Sequence, residues 1–525
     1  MVCCSGCVDG RAGMKRAIAR WMTGARCVLV SISLGVGLGY GVPAAWAERV
    51  TITLLHLNDV YEITPVAGGK SGGLSRVATV RQRLQQANPN TLTILAGDAL
   101  SPSALGTAKV NGESLAGQQM VAVLNALGVD YATLGNHEFD LSAPQFLQRL
   151  RESRFQWISS NVLDASGQPF PGVVVNKIHT VKGQSGTPVR VGFLGLTLNS
   201  NRAAYVQYRD PVQSARSQVQ ALKRQGADII VALTHLSLAE DHQVAAQVPE
   251  IDLILGGHEH ENIQQWRLVT RSRSTCPDPG IPIFKADANV RTVYVHQLRY
   301  DTQTRCLAIA SQLESITDAI PPEPRTEAVV QQWLQLGFAA FQQNGFEPAK
   351  PVATISQAWD GLEASVRNRS TVLTERIAQA MLQAIAGAEL AIYNSGAIRI
   401  DDVIPPGVVT QYDVLRILPF EGTVVEVKMP GTLLQRVLTQ GQANRGAGGF
   451  LQTANVTQNA AGQWLVQGQP LVGDREYRVA ISSFLLSGRE QGLEFLKTEG
   501  TTLKPISDAG DVRQVFIRYL SSNPQ

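Results

Sequence analysis

Cysteine is scarce, aromatic residues are few and no apolar run is long. Only six of 525 residues are cysteines. Four of these, Cys3, Cys4, Cys7 and Cys27, fall within the first 47 positions, so the remaining chain lacks the cysteine sets of a structural zinc site. Neither sign of charge dominates, with 46 basic and 43 acidic side chains. Residues 1–47 hold five of the basic and one of the acidic groups, which leaves the rest near −1. That balance gives no argument for binding a nucleic acid polymer or a membrane surface. There is no internal repeat, no low-complexity tract and no segment of disordered composition. The longest apolar run, Cys27 to about Leu38, is shorter than the roughly 20 residues a spanning helix needs.

What is present reads as a globular chain, 44% hydrophobic and 17% charged, long enough for two or three domains. The leading apolar run follows Lys15, Arg16, Arg20 and Arg26 and precedes Gly41, Pro43 and Ala45-Trp46-Ala47. This is the order of a secretory signal, with cleavage after Ala47 and no stable membrane association afterwards. Met14 opens the charged region, so residues 1–13 read as an upstream start. The expected compartment is periplasmic or extracellular. There the even pair Cys276 and Cys306 permits a disulfide, although spacing alone leaves its formation open.

From Arg49 to about Gln312 short apolar runs alternate with amphipathic stretches, the pattern of a mixed α/β domain. Strands are expected at 51–57, 91–95, 131–134, 189–196, 228–233 and 251–255, with helices at 74–85, 117–127 and 212–224. Five of these strands end in polar groups: Asp59, Asp98, Asn136, His235, and the pair His258 and His260. In open α/β sheets the carboxyl edge is where sites assemble. Any one of these histidines alone reads first as a hydrogen-bonded structural residue, and His56, inside the first strand, stays in that class. Their convergence argues for a ligand set of carboxylate, amide oxygen and imidazole, suited to Zn, Mn, Fe or Co.

Asp59, Gly97-Asp98, Gly135-Asn136-His137-Glu138, His235 and Gly257-His258-Glu259-His260 fall in the order of the calcineurin-like metallophosphoesterases. With the C-terminal part included, the chain resembles the bacterial periplasmic 5'-nucleotidase and UDP-sugar hydrolase family. The resemblance implies a four-layer β-sandwich flanked by helices, followed by a smaller α/β domain. It places the catalytic domain at 48–318, a linker helix at 319–350 and a substrate-binding domain at 351–525. Two divalent metal ions are implied, with Asp98 as bridge, Asn136, His235 and His258 on one ion, and Asp59 and His260 on the other. His137, oriented by Asp140, would face the leaving group, while Glu138 and Phe139 support the turn.

The first motif departs from the family, reading Asp59-Val60-Tyr61 where a histidine is usual at the third position. A phenol with a pKa near 10 is a poor ligand at neutral pH. The alternatives are an ion with fewer protein ligands and more water, a tyrosinate site, or a weakly occupied one.

In the C-terminal part the resemblance makes Arg369, Asn394, Arg399 and Phe450 the substrate-binding residues, with Phe450 stacking on a base. The second aromatic of the family is replaced by Leu493, with Phe495 two residues on. The implied activity is hydrolysis of nucleoside 5'-monophosphates by a monomer that binds a nucleotide as its small-molecule substrate. A 2',3'-cyclic nucleotide, a nucleotide sugar or a general phosphomonoester are the alternatives. The contrasting class is a nucleotide-binding protein with a weakened centre.

Overall fold

β1 (Arg49–Leu57) is buried along nearly its whole length, as a strand covered on both faces must be. The computed structural model describes residues 48–201, 203–267, 276, 280–497 and 503–523, so the expected secretory segment lies outside the described residues. After β1 come α1 (Leu74–Ala87), β2 (Thr91–Ala96), α2 (Gln118–Leu127), β3 (Tyr131–Thr133), α3 (Ala143–Glu152), β4 (Gln156–Ile158) and β5 (Val173–Val174). β1 to β5 pair in parallel.

A second sheet is built from β6 (Asn176–Lys182), β7 (Pro188–Thr197), β8 (Ile229–His235), β9 (Leu253–Gly256), β10 (Ile263–Arg267) and β11 (Ile281–Lys285), in the order β10-β11-β9-β8-β7-β6. α4 (Pro211–Arg224) and α5 (Leu238–Gln247) connect its parallel strands. The chain then returns to the first sheet as an antiparallel hairpin, β12 (Thr292–Asp301) and β13 (Leu307–Ser315), completing the order β13-β12-β1-β2-β3-β4-β5.

The two sheets face each other, since Ile52, Leu54 and Ile94 of one share a core with Val191, Phe193, Val231 and Leu255 of the other. Val77, Val80, Met120, Leu124 and Phe146, from α1 to α3, close the outer face of the first sheet, and Val219, Leu222 and Val244, from α4 and α5, that of the second. The result is the four-layer α/β architecture that the resemblance implied. Cys276 and Cys306, the latter in the β12–β13 hairpin turn, are joined by a disulfide with their Cα atoms 5.5 Å apart.

α6 (Pro324–Gln343) begins at Glu323, whose carboxylate accepts the backbone N–H groups of Arg325 and Thr326. It packs closely on the first part: a Cβ on Gly337 would overlap the Leu105 side chain. α7 (Val372–Ala384), β14 (Leu390–Asn394), β15 (Thr423–Pro430), α8 (Gly431–Ala443), β16 (Leu451–Ala454), β17 (Glu476–Ser482), β18 (Ser507–Asp511) and α9 (Val512–Ser522) follow. Their strands form a five-stranded sheet, β16-β14-β17-β15-β18.

One apolar cluster runs from Leu55 through Phe341 and Phe346 to Trp359 and Phe516, so the C-terminal part shares a core with the first. Beside it Arg416 lies buried among Glu62, Asp402 and Asp413 at 3.3, 3.5 and 3.6 Å. Losing one partner of such a group leaves a charge uncompensated, at a cost of about 3–5 kcal/mol. Among the described residues no helix is long and apolar enough to cross a membrane.

Candidate active site

Each of five strands ends by turning a polar residue into one place. Asp59, Asp98, His258 and His260 have φ of 51°, 52°, 91° and 60°, left-handed backbone that non-glycine residues adopt rarely and that clusters at functional sites. The turns leave no room for extra atoms. A Cβ on Gly97 would overlap the His235 ring, and one on Gly135 the Asp98 carboxylate.

Asp59, Asp98 and His235 are buried and each offers one ligand atom within 4.8 Å of the others. His235 Nδ1 lies 2.9 Å from the Ala96 carbonyl, to which it donates. Its Nε2 is thereby turned to the carboxylates, 3.1 Å from Asp98 and 3.8 Å from Asp59, without a well-aligned hydrogen bond. Burial opposes charge on this imidazole, yet Asp98 and Asp59 raise it to about 9. The two carboxylates therefore demand positive charge at Nε2, which a proton or a metal ion supplies. Asn136 Oδ1, also buried, has no hydrogen-bond partner among the described residues. An orphaned amide oxygen, an imidazole nitrogen and two carboxylates fit a divalent ion.

The remaining histidines surround this group. His258 donates its backbone N–H to Asp59 at 2.8 Å, and its ring centroid lies 5.4 Å from that of His235. Burial, with His235 nearby, lowers His258 to about 3, so the ring is neutral, the form that ligates. His260 Nε2 lies 3.4 Å from Asp59 and 3.0 Å from the Tyr61 hydroxyl. That hydroxyl also reaches Asp98 at 3.1 Å and Asp59 at 3.4 Å. Burial and then the two carboxylates push the Tyr61 phenol well above its ordinary value, which keeps it a donor.

His137 and Asp140 sit on one short 3₁₀ turn, with His137 Nδ1 2.7 Å from Asp140 Oδ2. Asp140 is held in turn by Ser101 at 3.2 Å and Asn201 at 2.9 Å. The His137 backbone N–H donates to Asp98 at 2.8 Å, tying this pair to the ligand cluster. Glu138 points the other way, accepting the N–H groups of Asp98, Ala99, Leu100 and Gly135. It holds the Asp98 turn. Glu259, between the two loop histidines, is bound by the buried Lys285 ammonium, which also pairs with Asp241 at 2.8 Å.

The C-terminal part closes over this centre. Arg399, with a buried Nε lacking a partner among the described residues, lines a small pocket together with Tyr61 and His260. Asn394 donates to Glu490 at 2.9 Å and keeps a buried Oδ1 without a partner among the described residues. A cleft of about 480 Å³ opens beside His258 and His260, with Arg291, Glu363 and Arg367 on its walls.

Residues 52–262 match the family model for the calcineurin-like phosphoesterase, and residues 351–498 that for the 5'-nucleotidase C-terminal domain. The chain belongs to the 5'-nucleotidase family. It is 25% identical to a 5'-nucleotidase of Bos taurus, over 88% of this chain and 86% of that one. A NAD 5'-nucleotidase of Haemophilus influenzae is 24% identical, over 84% and 85% respectively. Among solved structures, a 5'-nucleotidase precursor from Thermus thermophilus superposes with a TM-score of 0.71 at 25% identity, covering 90% of this chain and 96% of the other.

Within this family member the expected substrate residues are not all gathered at the cleft. Arg369 is exposed and bonds Asp360 at 2.8 Å and Ser365 at 3.0 Å, whereas Arg367, two residues earlier, faces the cleft and pairs with Glu363 at 2.5 Å. Phe450 is only 8% exposed and lies beneath Arg445. Leu493 is wholly buried in the core, and the Phe495 ring is covered by Arg436 at 3.8 Å. The open ring is Phe420, 40% exposed, with the Arg399 guanidinium 5.7 Å from its centre. Sequence reasoning passed over Arg367, Phe420, Ser101 and Asn201. The one available signal was Phe420 itself, an aromatic after a proline at a helix end, outside any apolar period.

Proposed function

We propose that the protein is an exported hydrolase that releases phosphate from nucleoside 5'-monophosphates with two divalent ions. The observation that carries this reading is the convergence of Asp59, Asp98 and His235 with the orphaned Asn136 oxygen, one residue from the His137–Asp140 pair. Residues 48–318 carry the chemistry, 319–350 the connecting helix and 351–525 substrate recognition. Asp98 would be shared between the ions, with Asn136, His235 and His258 holding one and Asp59 and His260 the other. The ions, when bound, provide a nucleophile at neutral pH and neutralise phosphoryl charge.

The chain's own residues do the rest. Asp140 fixes the His137 ring through Nδ1, which leaves Nε2 to stabilise negative charge on the departing nucleoside oxygen. Arg399 offers its guanidinium to substrate oxygens from the small pocket beside Tyr61. Asn394 brackets the substrate from the same turn, and Phe420 is better placed than Phe450 to stack on a base. Arg367, on the wall of the cleft, takes the substrate role that the resemblance gave to Arg369. Export is supported by the leader pattern and by the Cys276–Cys306 disulfide.

Purified protein supplied with Mn, Co or Zn should release phosphate from AMP. A panel with a 2',3'-cyclic nucleotide, NAD and a nucleotide sugar then ranks substrates. No phosphate from AMP under any metal, together with tight AMP binding, would make the protein a nucleotide receptor instead.

Tyr61 is expected to cost the centre a ligand. Its phenol donates to both carboxylates, and tyrosinate ligation would require removing that proton between them. Tyr61→His should bind metal about tenfold more tightly, a gain of roughly 1.4 kcal/mol, measured by competition with a chelator. Unchanged affinity would show that Tyr61 takes no ligand's place.

A further inference from the structure

Asp401 belongs to the C-terminal part, yet its side chain ends against a histidine of the first. Its Oδ2 lies 2.9 Å from His260 Nδ1, across 141 positions of sequence. Its other oxygen accepts the backbone N–H of Glu363 at 2.8 Å, and its carbonyl accepts Arg291 Nη1 at 3.1 Å. The residue is 6% exposed and has φ of 38°, a left-handed conformation held by contacts on three sides. His260 Nδ1 is thus engaged from one half of the molecule, while its Nε2 faces Asp59 and Tyr61 in the other. An imidazole bound at one nitrogen by a carboxylate has its tautomer and ring plane fixed and its other nitrogen made more basic.

We propose that Asp401 is a positioning residue of the metal centre, a carboxylate supplied by the C-terminal part that aims His260 Nε2 at the ion. Metal affinity in the first part then depends on the C-terminal part being docked as it is here. By linkage, bound metal favours that docking in return. The inference rests on the reading of His260 as a ligand.

The test is metal binding to the full chain, read by equilibrium dialysis with Mn²⁺ or Co²⁺ and by the visible absorption of the Co²⁺ form. Asp401→Asn tolerates the left-handed backbone, and Asp401→Gly removes the side chain without strain at that φ. Both should weaken one metal site by about 10–100-fold and alter the Co²⁺ spectrum, with Asp401→Asn melting in EDTA close to the wild type and Asp401→Gly losing more metal affinity than its fall in melting temperature accounts for. Asp402→Asn removes one of three carboxylates around Arg416, keeps an oxygen for the Ala67 N–H and touches no ligand, so the C-terminal part stays docked and metal affinity should remain as in the wild type. Wild-type affinity in both Asp401 variants would overturn the inference. So would an equal loss in Asp402→Asn, or a loss matched by the melting temperature in EDTA. Absence of AMP hydrolysis would count against the proposed activity alone, because these readouts report binding.

Discussion

Replacing His137 with alanine is expected to lower kcat for AMP by about 10²–10⁴-fold, the usual worth of one proton-transfer or charge-stabilising side chain. Bound metal should stay at the wild-type level, because the ring faces Asp140 and only the backbone N–H of this residue touches Asp98. KM should move little, since the lost interaction is with charge that develops during bond cleavage. Asp140→Asn offers a graded version. The amide can still touch Nδ1 but no longer favours the same tautomer, and Ser101 and Asn201 would keep it in place. Steady-state kinetics combined with metal analysis of the same preparations makes the distinction. If His137→Ala loses metal in proportion to activity, His137 belongs to the metal centre and its assignment to the leaving group is wrong.

Asp98→Asn is expected to act through the metals. Asp98 stands at the middle of the centre, 3.1 Å from His235 Nε2 and 3.1 Å from the Tyr61 hydroxyl, while its other oxygen holds the His137 backbone. Burial opposes its charge, and the neighbouring His235 and His137 nonetheless lower it to about 2, so the site is built around an ionised carboxylate. An amide of the same shape has one acceptor oxygen and no charge. It cannot bridge two cations, and its NH₂ group would be turned against His137 N–H, Tyr61 or His235. Activity should fall by at least about 10³-fold, close to 4 kcal/mol of barrier, with clear loss of metal on dialysis. Full activity with full metal content would remove Asp98 from the centre.

The same residues show why some of this was readable in advance. Asp59, Asp98, Asn136, His235 and His258 each stand just past the end of an apolar run, and His260 follows His258 in the same loop. A buried parallel strand has to be such a run, and a polar residue at its end marks the sheet edge where sites form. α1, α2 and α4 were legible for a related reason, since their apolar positions recur at helical spacing on one buried face. The β12–β13 hairpin was less so. β13 alternates half-buried and exposed residues at the sheet edge, which dilutes its apolar signal.

The substrate side was harder to read because it depends on which way a side chain turns. Arg367 and Arg369 are two residues apart at the end of a short helix, and only packing sends one to the cleft and the other to Asp360. Phe420 and Phe450 are likewise equal as letters, but one is left open beside Arg399 and the other is covered.

By itself, then, the sequence determined the mixed α/β class and which strands end in polar groups, because periodicity and strand ends are local properties that survive as pattern. Tertiary structure alone decided the disulfide, the hold of Ser101 and Asn201 on Asp140, and the reach of Asp401 to His260. Those contacts join residues far apart in the chain, and a pairing between distant residues leaves no period for a sequence to display.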